Sequence, residues 1–163
     1  MVSLFGDAAL SPTAGQYDWV PNYNFDGIEV VETMADRSFR RTQVYRNGII
    51  EIFGLAIVNQ EEGRPVLQAP ILENIVLKRA AYALRLLQKL QVQPPVFVGI
   101  SLLRVNGAFL KFSATEPLKG PIENVNLDFD EVLFDAFDDS LKERLRPLLN
   151  IMSQSFGLSK WPS

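Results

Sequence analysis

Two Asn-Gly dipeptides constrain the fold of this chain more than any other feature of its 163 residues. Asn47-Gly48 and Asn106-Gly107 each lie between segments rich in apolar and β-branched residues. Asn-Gly tolerates the positive φ angles of a two-residue type I′ turn, which is the tight connection of a β-hairpin. The first dipeptide predicts a hairpin between 38–46 and 49–57, so antiparallel pairing is expected to dominate the fold.

A two-residue turn also predicts the register of this hairpin, because the residues on either side of the turn must face each other. Arg46 is expected to pair with Ile49, and Tyr45 with Ile50. The face predicted to join the core then carries Phe39, Tyr45, Ile50 and Ile52. The opposite face is expected to be mixed and partly exposed, and it carries Arg40, Thr42, Val44, Arg46, Glu51 and Phe53.

The rest of the chain adds strands and two helices of recognisable period. The predicted elements are a strand at 25–34, the first hairpin, a helix at 70–90, a strand at 96–105, its hairpin partner at 108–114, a strand at 125–133 and a helix at 141–156. The strand at 96–105 is a nearly continuous apolar run, which indicates burial on both faces. In the strand at 125–133, the expected buried side chains are Val125, Leu127, Phe129 and Leu133. Asp138 or Asp139 is the predicted cap of the last helix.

The order βββ-α-ββ-β-α predicts an α+β fold with a mainly antiparallel sheet and helices covering one face. The length fits a single domain, expected at 25–157. Residues 1–24 show no sustained period and predict an extended arm or linker following an upstream domain, and 158–163 predict a tail. No segment resembles a membrane span or a signal peptide, so a cytoplasmic location is expected.

The chain contains neither histidine nor cysteine, which excludes much familiar chemistry. Nucleophile systems that need histidine, zinc sites built from histidine or cysteine, and disulfides cannot form within it. Carboxylate chemistry, cations held by oxygen ligands, lysine chemistry and binding without chemistry remain possible. We expect no catalytic residue, no metal ligand and no cofactor.

One acidic stretch is the only dense group of candidate oxygen ligands. It consists of Asp128, Asp130, Glu131, Asp135, Asp138 and Asp139. The spacing matches neither an EF-hand nor a nuclease motif, and a solvated strand face followed by a helix cap explains it better. A metal-dependent enzyme that uses these carboxylates is the second alternative for the function.

Arginines interleaved with aromatic residues on the first hairpin form a candidate nucleic-acid surface. The candidate residues are Arg40, Arg41, Arg46 and Tyr45, which could hold phosphates and stack bases. Two observations favour an ordinary charged sheet face instead. The net charge of the chain is −3, and Glu51 is a ready partner for Arg46. A nucleic-acid-binding module is therefore the first alternative.

Arg79 is an anomaly within the helix predicted at 70–90. At 100° per residue it falls inside the apolar stripe formed by neighbours such as Ile75 and Ala83. A guanidinium in that position must reach solvent or meet a carboxylate. Arg79 is therefore either an anion anchor or one half of a buried pair, and the pair is favoured.

Several segments together resemble a region of bacterial multidomain proteins. They are Tyr45-Arg46-Asn47-Gly48-Ile49-Ile50-Glu51, Gln93-Pro94-Pro95-Val96, Ser101-Leu102-Leu103, Asn106-Gly107 and Leu145-Arg146-Pro147-Leu148-Leu149. In those proteins the region follows a Schlafen/AlbA-type nucleic-acid- or ATP-binding domain. The resemblance covers about residues 25–157 and consists of turns and core segments. It implies an accessory domain with a regulatory or defence-related role, and it carries over no catalytic residue.

The sequence thus predicts a non-catalytic interaction, assembly or regulatory domain of a larger bacterial protein. The expected partners are the upstream domain of the same protein, other protein subunits or further copies of this chain. Neither nucleic acid nor a membrane is the expected partner.

Overall fold

The computed structural model describes residues 18–34, 37–54, 58–137 and 140–161. Within them the chain forms nine strands and two helices, which confirms the α+β class. The elements are β1 (Asp18–Tyr23), β2 (Gly27–Met34), β3 (Arg37–Tyr45), β4 (Ile50–Gly54), β5 (Val58–Glu61), β6 (Arg64–Gln68), α1 (Ala69–Lys89), β7 (Val96–Leu103), β8 (Phe109–Lys111), β9 (Asn126–Phe134) and α2 (Leu141–Gln154).

The described strands pair in three sheets. The first has the order β1-β2-β3-β4 and is antiparallel throughout. The second has the order β5-β6-β8, with β6 and β8 parallel, and the third is the antiparallel pair β7-β9. Antiparallel pairing dominates, as expected, but the strands are divided among three sheets.

The chain divides into two compact units. The first comprises Met1–Leu55 and Ala81–Val92, and the second comprises Ala56–Ala80 and Gln93–Ser163. Helix α1 contributes its first twelve residues to the second unit and the remainder to the first. The expectation of one domain over 25–157 stays a prediction.

The core of the first unit lies between its sheet and the second half of α1. Tyr82 and Leu86 are buried there, with Val44, Ile50 and Ile52 of the β3–β4 hairpin packed against them. Two apolar side chains of β4 thus lie on the core face that the sequence predicted. That face also includes Val44, which was expected on the opposite side.

The register predicted for this hairpin is wrong by one residue, because Val44 pairs with Ile50 and Gln43 with Glu51. The loop has three residues rather than two. The Tyr45 backbone N–H donates to the Ile49 carbonyl at 2.8 Å, and only Gly48 in the loop takes a positive φ, of 88°. Asn47 keeps a negative φ, and its Oδ1 accepts from the Ile49 N–H at 3.1 Å. A single positive-φ residue is typical of a three-residue loop with a bulge.

This slip moves side chains to the other face of the hairpin. Tyr45, predicted to join the core, lies instead on the face that carries Glu51, with which its hydroxyl is hydrogen-bonded. Thr42, predicted to be partly wet, is buried. The side chain of Phe39 lies outside the described residues.

Three strands were missed from the sequence. Strand β1 lies within the segment predicted as an arm and pairs with β2. Strands β5 and β6 form a hairpin where a polar loop was expected at 59–64. Its two turn residues, Glu62 and Gly63, have φ values of 52° and 76°. Two positive φ angles are typical of a type I′ turn. The dipeptide Glu62-Gly63 gives only a weak sequence signal for such a turn, and the hairpin was therefore not predicted.

The second predicted hairpin, between 96–105 and 108–114, does not form. Strand β7 pairs with β9, and β8 pairs with β6. The residues around Asn106-Gly107 are hydrogen-bonded to 122–125 instead. The Val105 N–H donates to the Val125 carbonyl at 2.9 Å, and the Gly107 N–H donates to the Ile122 carbonyl at 2.8 Å. Because these groups are already paired, β8 is directed away from β7.

Helix α2 packs against β9 and completes the core of the second unit. Its buried residues include Leu145, Leu148, Leu149 and Met152. The helix continues through Pro147, and Ser140 is its N-cap. The predicted caps Asp138 and Asp139 lie outside the described residues. Neither of the two described helices combines the length and apolar character needed to cross a bilayer.

Candidate protein-interaction surface

The β7–β9 pair has one buried and one exposed face. Val96, Leu102 and Phe134 are among the side chains that point into the core. We call the opposite surface the outer face; its side chains are Phe97, Leu103, Asp128, Asp130, Glu131 and Leu133. Gly99 and Ser101 lie between the two apolar residues of β7 on this face.

Large apolar side chains on the outer face are open to solvent. Phe97 is 63% exposed and pairs directly with Leu133, which is 48% exposed. Leu103 is 54% exposed, and Val125, next to the start of β9, is 60% exposed. Single exposed apolar residues are ordinary, but a cluster on one sheet face is typical of an interaction site.

A β-bulge explains why Leu133 points outward. The register shifts between Val98 and Ile100, so Gly99 faces two residues of β9, Asp130 and Glu131. The extra residue reverses the alternation along β9. Leu127 and Phe129 therefore point inward as predicted, whereas Leu133 points outward beside Phe97. The predictions that β7 is buried on both faces and that Val125 and Leu133 share the buried face are wrong.

The centre of the outer face is acidic. Asp128, Asp130 and Glu131 are exposed, and none of them forms an ion pair with another described residue. Asp135 differs, because it pairs with Arg144 at 2.6 Å. Over the described ranges, no group of three or more acidic side chains is arranged to hold a metal ion. The outer face therefore combines free negative charge with exposed apolar groups.

The β3–β4 hairpin of the first unit, which carries the candidate arginines, differs from the outer face because the charge of Arg41 is paired. Arg41 Nη2 lies 2.8 Å from Glu51 Oε2, and its Nη1 lies 3.7 Å from Glu29 Oε1. The Tyr45 hydroxyl donates to the same Glu51 oxygen at 3.1 Å, and this hydrogen bond is the main reason that the pKa of Tyr45 is raised. Two carboxylates offset the charge of Arg41, so little of it is available for phosphate.

The other two arginines predicted for nucleic-acid binding are separate from this cluster. Arg46 is exposed, and its Nε donates to the Phe25 carbonyl at 3.0 Å. It does not pair with Glu51, contrary to the prediction, because the register slip brings Arg41 to that carboxylate. The backbone of Arg40 lies in β3, but its side chain is outside the described part.

Arg79 lies half-buried in α1, and its Nη1 atom is enclosed within the protein. Its neighbours Val76 and Ala80 are buried, which agrees with the predicted position in the apolar stripe. Whether Arg79 serves as an anion anchor or as half of a buried pair stays a prediction.

A largely buried carboxylate, Glu73, lies inside the second unit. Glu73 Oε2 accepts from the Trp161 indole N–H at 3.0 Å, and Glu73 Oε1 lies 3.1 Å from Lys142 Nζ. Burial raises the pKa of Glu73, but the indole N–H and the Lys142 ammonium outweigh that effect, so the pKa is lowered. Glu73 is therefore held as a carboxylate.

Trp161 is fixed by contacts on several sides. Its backbone N–H donates to Asn150 Oδ1 at 2.9 Å, and its carbonyl accepts from Arg146 Nη2 at 2.7 Å. Its ring meets that of Phe112 edge-on, with centroids 5.4 Å apart. Trp161 is 1% exposed, so the segment after α2 is anchored in the core.

Sequence reasoning missed the outer face, although a signal for it exists. The two residues of β7 that are small or polar, Gly99 and Ser101, occupy alternate positions shared with Phe97 and Leu103. Such alternation is typical of a strand with one exposed face. The bulge that turns Leu133 outward left no comparable mark in the sequence.

Comparison of this chain with protein-family models, with curated proteins and with solved structures found no match.

Proposed function

We propose that this chain is a non-catalytic interaction domain that serves assembly or regulation within a larger bacterial protein of the cytoplasm. The observation that carries the proposal is the outer face of β7 and β9. It exposes Phe97, Leu103 and Leu133 around carboxylates that have no ion-pair partner among the described residues. Burial of such apolar groups by a protein partner is favourable, at about 25 cal/mol per Å² of apolar surface.

The internal carboxylate supports a structural rather than a catalytic interpretation. Glu73 is hydrogen-bonded to Trp161 and paired with Lys142, and its pKa is lowered. A general acid or base works best when its pKa is near the operating pH. The contacts of Glu73 instead fasten Trp161 to α1 and α2.

The test compares the wild-type chain with a Phe97→Ser/Leu133→Ser variant by sedimentation velocity over a wide range of concentration. The wild type is expected to self-associate or to bind the domain that precedes it in its native protein, and the variant should do neither. Ile151→Ser is the matched control, because Ile151 is 41% exposed on α2. A wild type that stays monomeric and fails to bind the preceding domain would contradict the proposal.

The nucleic-acid alternative has weaker support, because Arg41 is engaged by Glu29 and Glu51. It predicts that a fluorescent oligonucleotide binds at low salt and dissociates as the salt concentration rises. Absence of binding at low ionic strength would exclude it. Binding that Arg46→Ala weakens would favour it over the proposal above.

A further inference from the structure

A second exposed apolar surface lies at one end of the first sheet. We call it the hairpin tip, and it consists of Tyr23, Phe25, Arg46 and Ile49. Phe25 is 92% exposed, Tyr23 is 69% exposed and Ile49 is 56% exposed. The tip is formed where the turn between β1 and β2 meets the turn between β3 and β4.

Hydrogen bonds hold the two turns together. The Arg46 backbone N–H donates to the Asp26 carbonyl at 2.9 Å, and its Nε donates to the Phe25 carbonyl at 3.0 Å. Asn24 Oδ1 accepts from the Gly27 N–H at 2.8 Å, and its Nδ2 donates to Gln43 Oε1 at 3.0 Å. Phe25 is therefore presented on a pre-organised turn, which reduces the entropy lost on binding.

Gly27 is required for this arrangement. Its φ is +153°, and a Cβ at this position would lie 2.0 Å from the Val44 carbonyl oxygen. The close approach of the two backbones is possible only without a side chain. The position of Phe25 is thus fixed relative to β3.

The hairpin tip and the outer face have complementary chemistry. Arg46 forms no ion pair with any described residue, so its guanidinium is available to a carboxylate elsewhere. On the outer face, Asp128, Asp130 and Glu131 likewise form no ion pair with any described residue, and Phe97 and Leu133 lie on the same face. Arg46 therefore supplies the positive charge that the outer face lacks, and both surfaces expose apolar side chains that can pack together.

The outer face also has space for an aromatic side chain. A Cβ built at Gly99 would lie 3.6 Å from Glu131 Cγ and would meet no other neighbouring heavy atom within 4 Å. Because Gly99 has no side chain, it leaves a shallow depression between Phe97 and Ser101, next to the carboxylate of Glu131. Phe25, as the most exposed of the described large apolar side chains, is suited to fill it.

We propose that the hairpin tip of one copy docks on the outer face of a second copy, with Phe25 over Gly99 and Arg46 facing Asp130 and Glu131. The inference rests on the proposed interaction function and names its partner. Two different surfaces meet, so the contact is heterologous and builds rings or open chains. Only a few side chains take part, so the association is weak and needs high protein concentrations to be observed.

The central experiment is a charge exchange followed by sedimentation velocity. Arg46→Glu and Glu131→Arg should each lower the association constant by roughly tenfold or more, because each places like charges in contact. An equimolar mixture of the two variants, or the double variant, should recover association, because opposite charges face each other again. Arg85→Glu is the control, since it makes the same charge change on an exposed residue of α1.

Two further variants test the contact without inverting a charge. Asp26 lies in the docking turn, and Asp26→Asn should strengthen association by removing a negative charge that faces the acidic centre. Gly99→Leu should weaken association, because its side chain would occupy the place assigned to Phe25. Circular dichroism and the unfolding midpoint of each variant establish that it is folded.

The outcomes separate this inference from the proposed function. If Glu131→Arg weakens self-association and Arg46→Glu does not, the outer face binds another surface, and only the head-to-tail inference is overturned. The same holds if the wild type is monomeric but binds its preceding domain through the outer face. A monomeric wild type that binds an oligonucleotide through Arg46 would overturn the inference and favour the nucleic-acid alternative. A monomer that binds nothing would overturn both proposals.

Discussion

Two glutamates of the second unit, Glu73 and Glu131, have opposite surroundings. The side chain of Glu73 is 18% exposed, accepts the Trp161 indole N–H and pairs with Lys142. Glu131 is exposed on the outer face, beside Gly99 and on the same face as Phe97, and forms no ion pair with any described residue. Glu73 thus belongs to a hydrogen-bonded network, whereas the carboxylate of Glu131 is left open to solvent.

The difference separates a structural cluster from the proposed binding surface in a chain without histidine or cysteine. Next to Glu73, the indole N–H, the backbone N–H and the carbonyl of Trp161 are all hydrogen-bonded, and the ring of Trp161 is buried. On the outer face, apolar area and charge both remain exposed to solvent. Substitutions in the first region should alter the stability of the fold, whereas substitutions in the second should alter association.

The largest effect on stability is expected from Trp161→Ala. Loss of the buried ring leaves a cavity beside Phe112 and removes the partner of Glu73, so the free energy of unfolding should fall by about 3–5 kcal/mol. Trp161→Phe is the matched control and should cost less, because it retains an aromatic ring. Urea denaturation measures both changes. An unchanged midpoint for Trp161→Ala would show that the anchoring contacts contribute nothing to the cooperative fold.

The two faces of β9 allow a comparison within a single strand. Leu127 is 8% exposed and Leu133 is 48% exposed. Leu127→Ala should lower the free energy of unfolding by about 2–5 kcal/mol, and Leu133→Ala by less than about 1 kcal/mol. Thermal unfolding of the two variants in parallel measures the difference. Equal losses would mean that Leu133 is covered by protein, and the outer face would no longer qualify as a binding surface.

Glu73→Gln tests, through the pH dependence of its effect, whether the charge of Glu73 stabilises the fold. The glutamine retains an oxygen that can accept from Trp161 but loses the charge that faces Lys142, so we expect a loss of about 1 kcal/mol at pH 7. Because folding lowers the pKa of Glu73, its contribution is present above the unfolded-state pKa and is lost as the pH falls through the folded-state pKa.

The stability difference between the wild type and Glu73→Gln should therefore shrink as the pH is lowered into the acidic range. Chemical denaturation at a series of pH values measures this trend. A difference that stays constant would show that the charge of Glu73 does not contribute to folding.

The sequence predicted those parts of the fold that depend on local periodicity. The helix expected at 70–90 is α1, and the apolar run from Val96 is β7. Helical spacing and strand-forming runs are properties of adjacent residues, so they can be identified without knowing what packs against them. The α+β class followed from the same signals.

Features that depend on a single backbone angle or on distant partners were not predictable in this way. Asn47 was expected to adopt a positive φ and did not, which shifted the hairpin by one residue and moved Tyr45 to the other face. Asn106-Gly107 was expected to close a hairpin, but its neighbours pair with 122–125. One part of the outer face was missed for the same reason, because the bulge opposite Gly99 exposes Leu133 through a pairing that local sequence does not reveal.

The smallest effect on stability is expected from Glu131→Gln, which isolates the role of charge on the outer face. Glu131 has no ion-pair partner among the described residues, so the free energy of unfolding should change by less than about 0.5 kcal/mol. Association should nevertheless weaken, and it should become less sensitive to salt, because one charge of the contact has been removed. Sedimentation velocity at low and high ionic strength measures both effects. A clear loss of stability would place Glu131 in a structural network like that of Glu73, whereas unchanged association and salt dependence would leave the contact to apolar side chains alone.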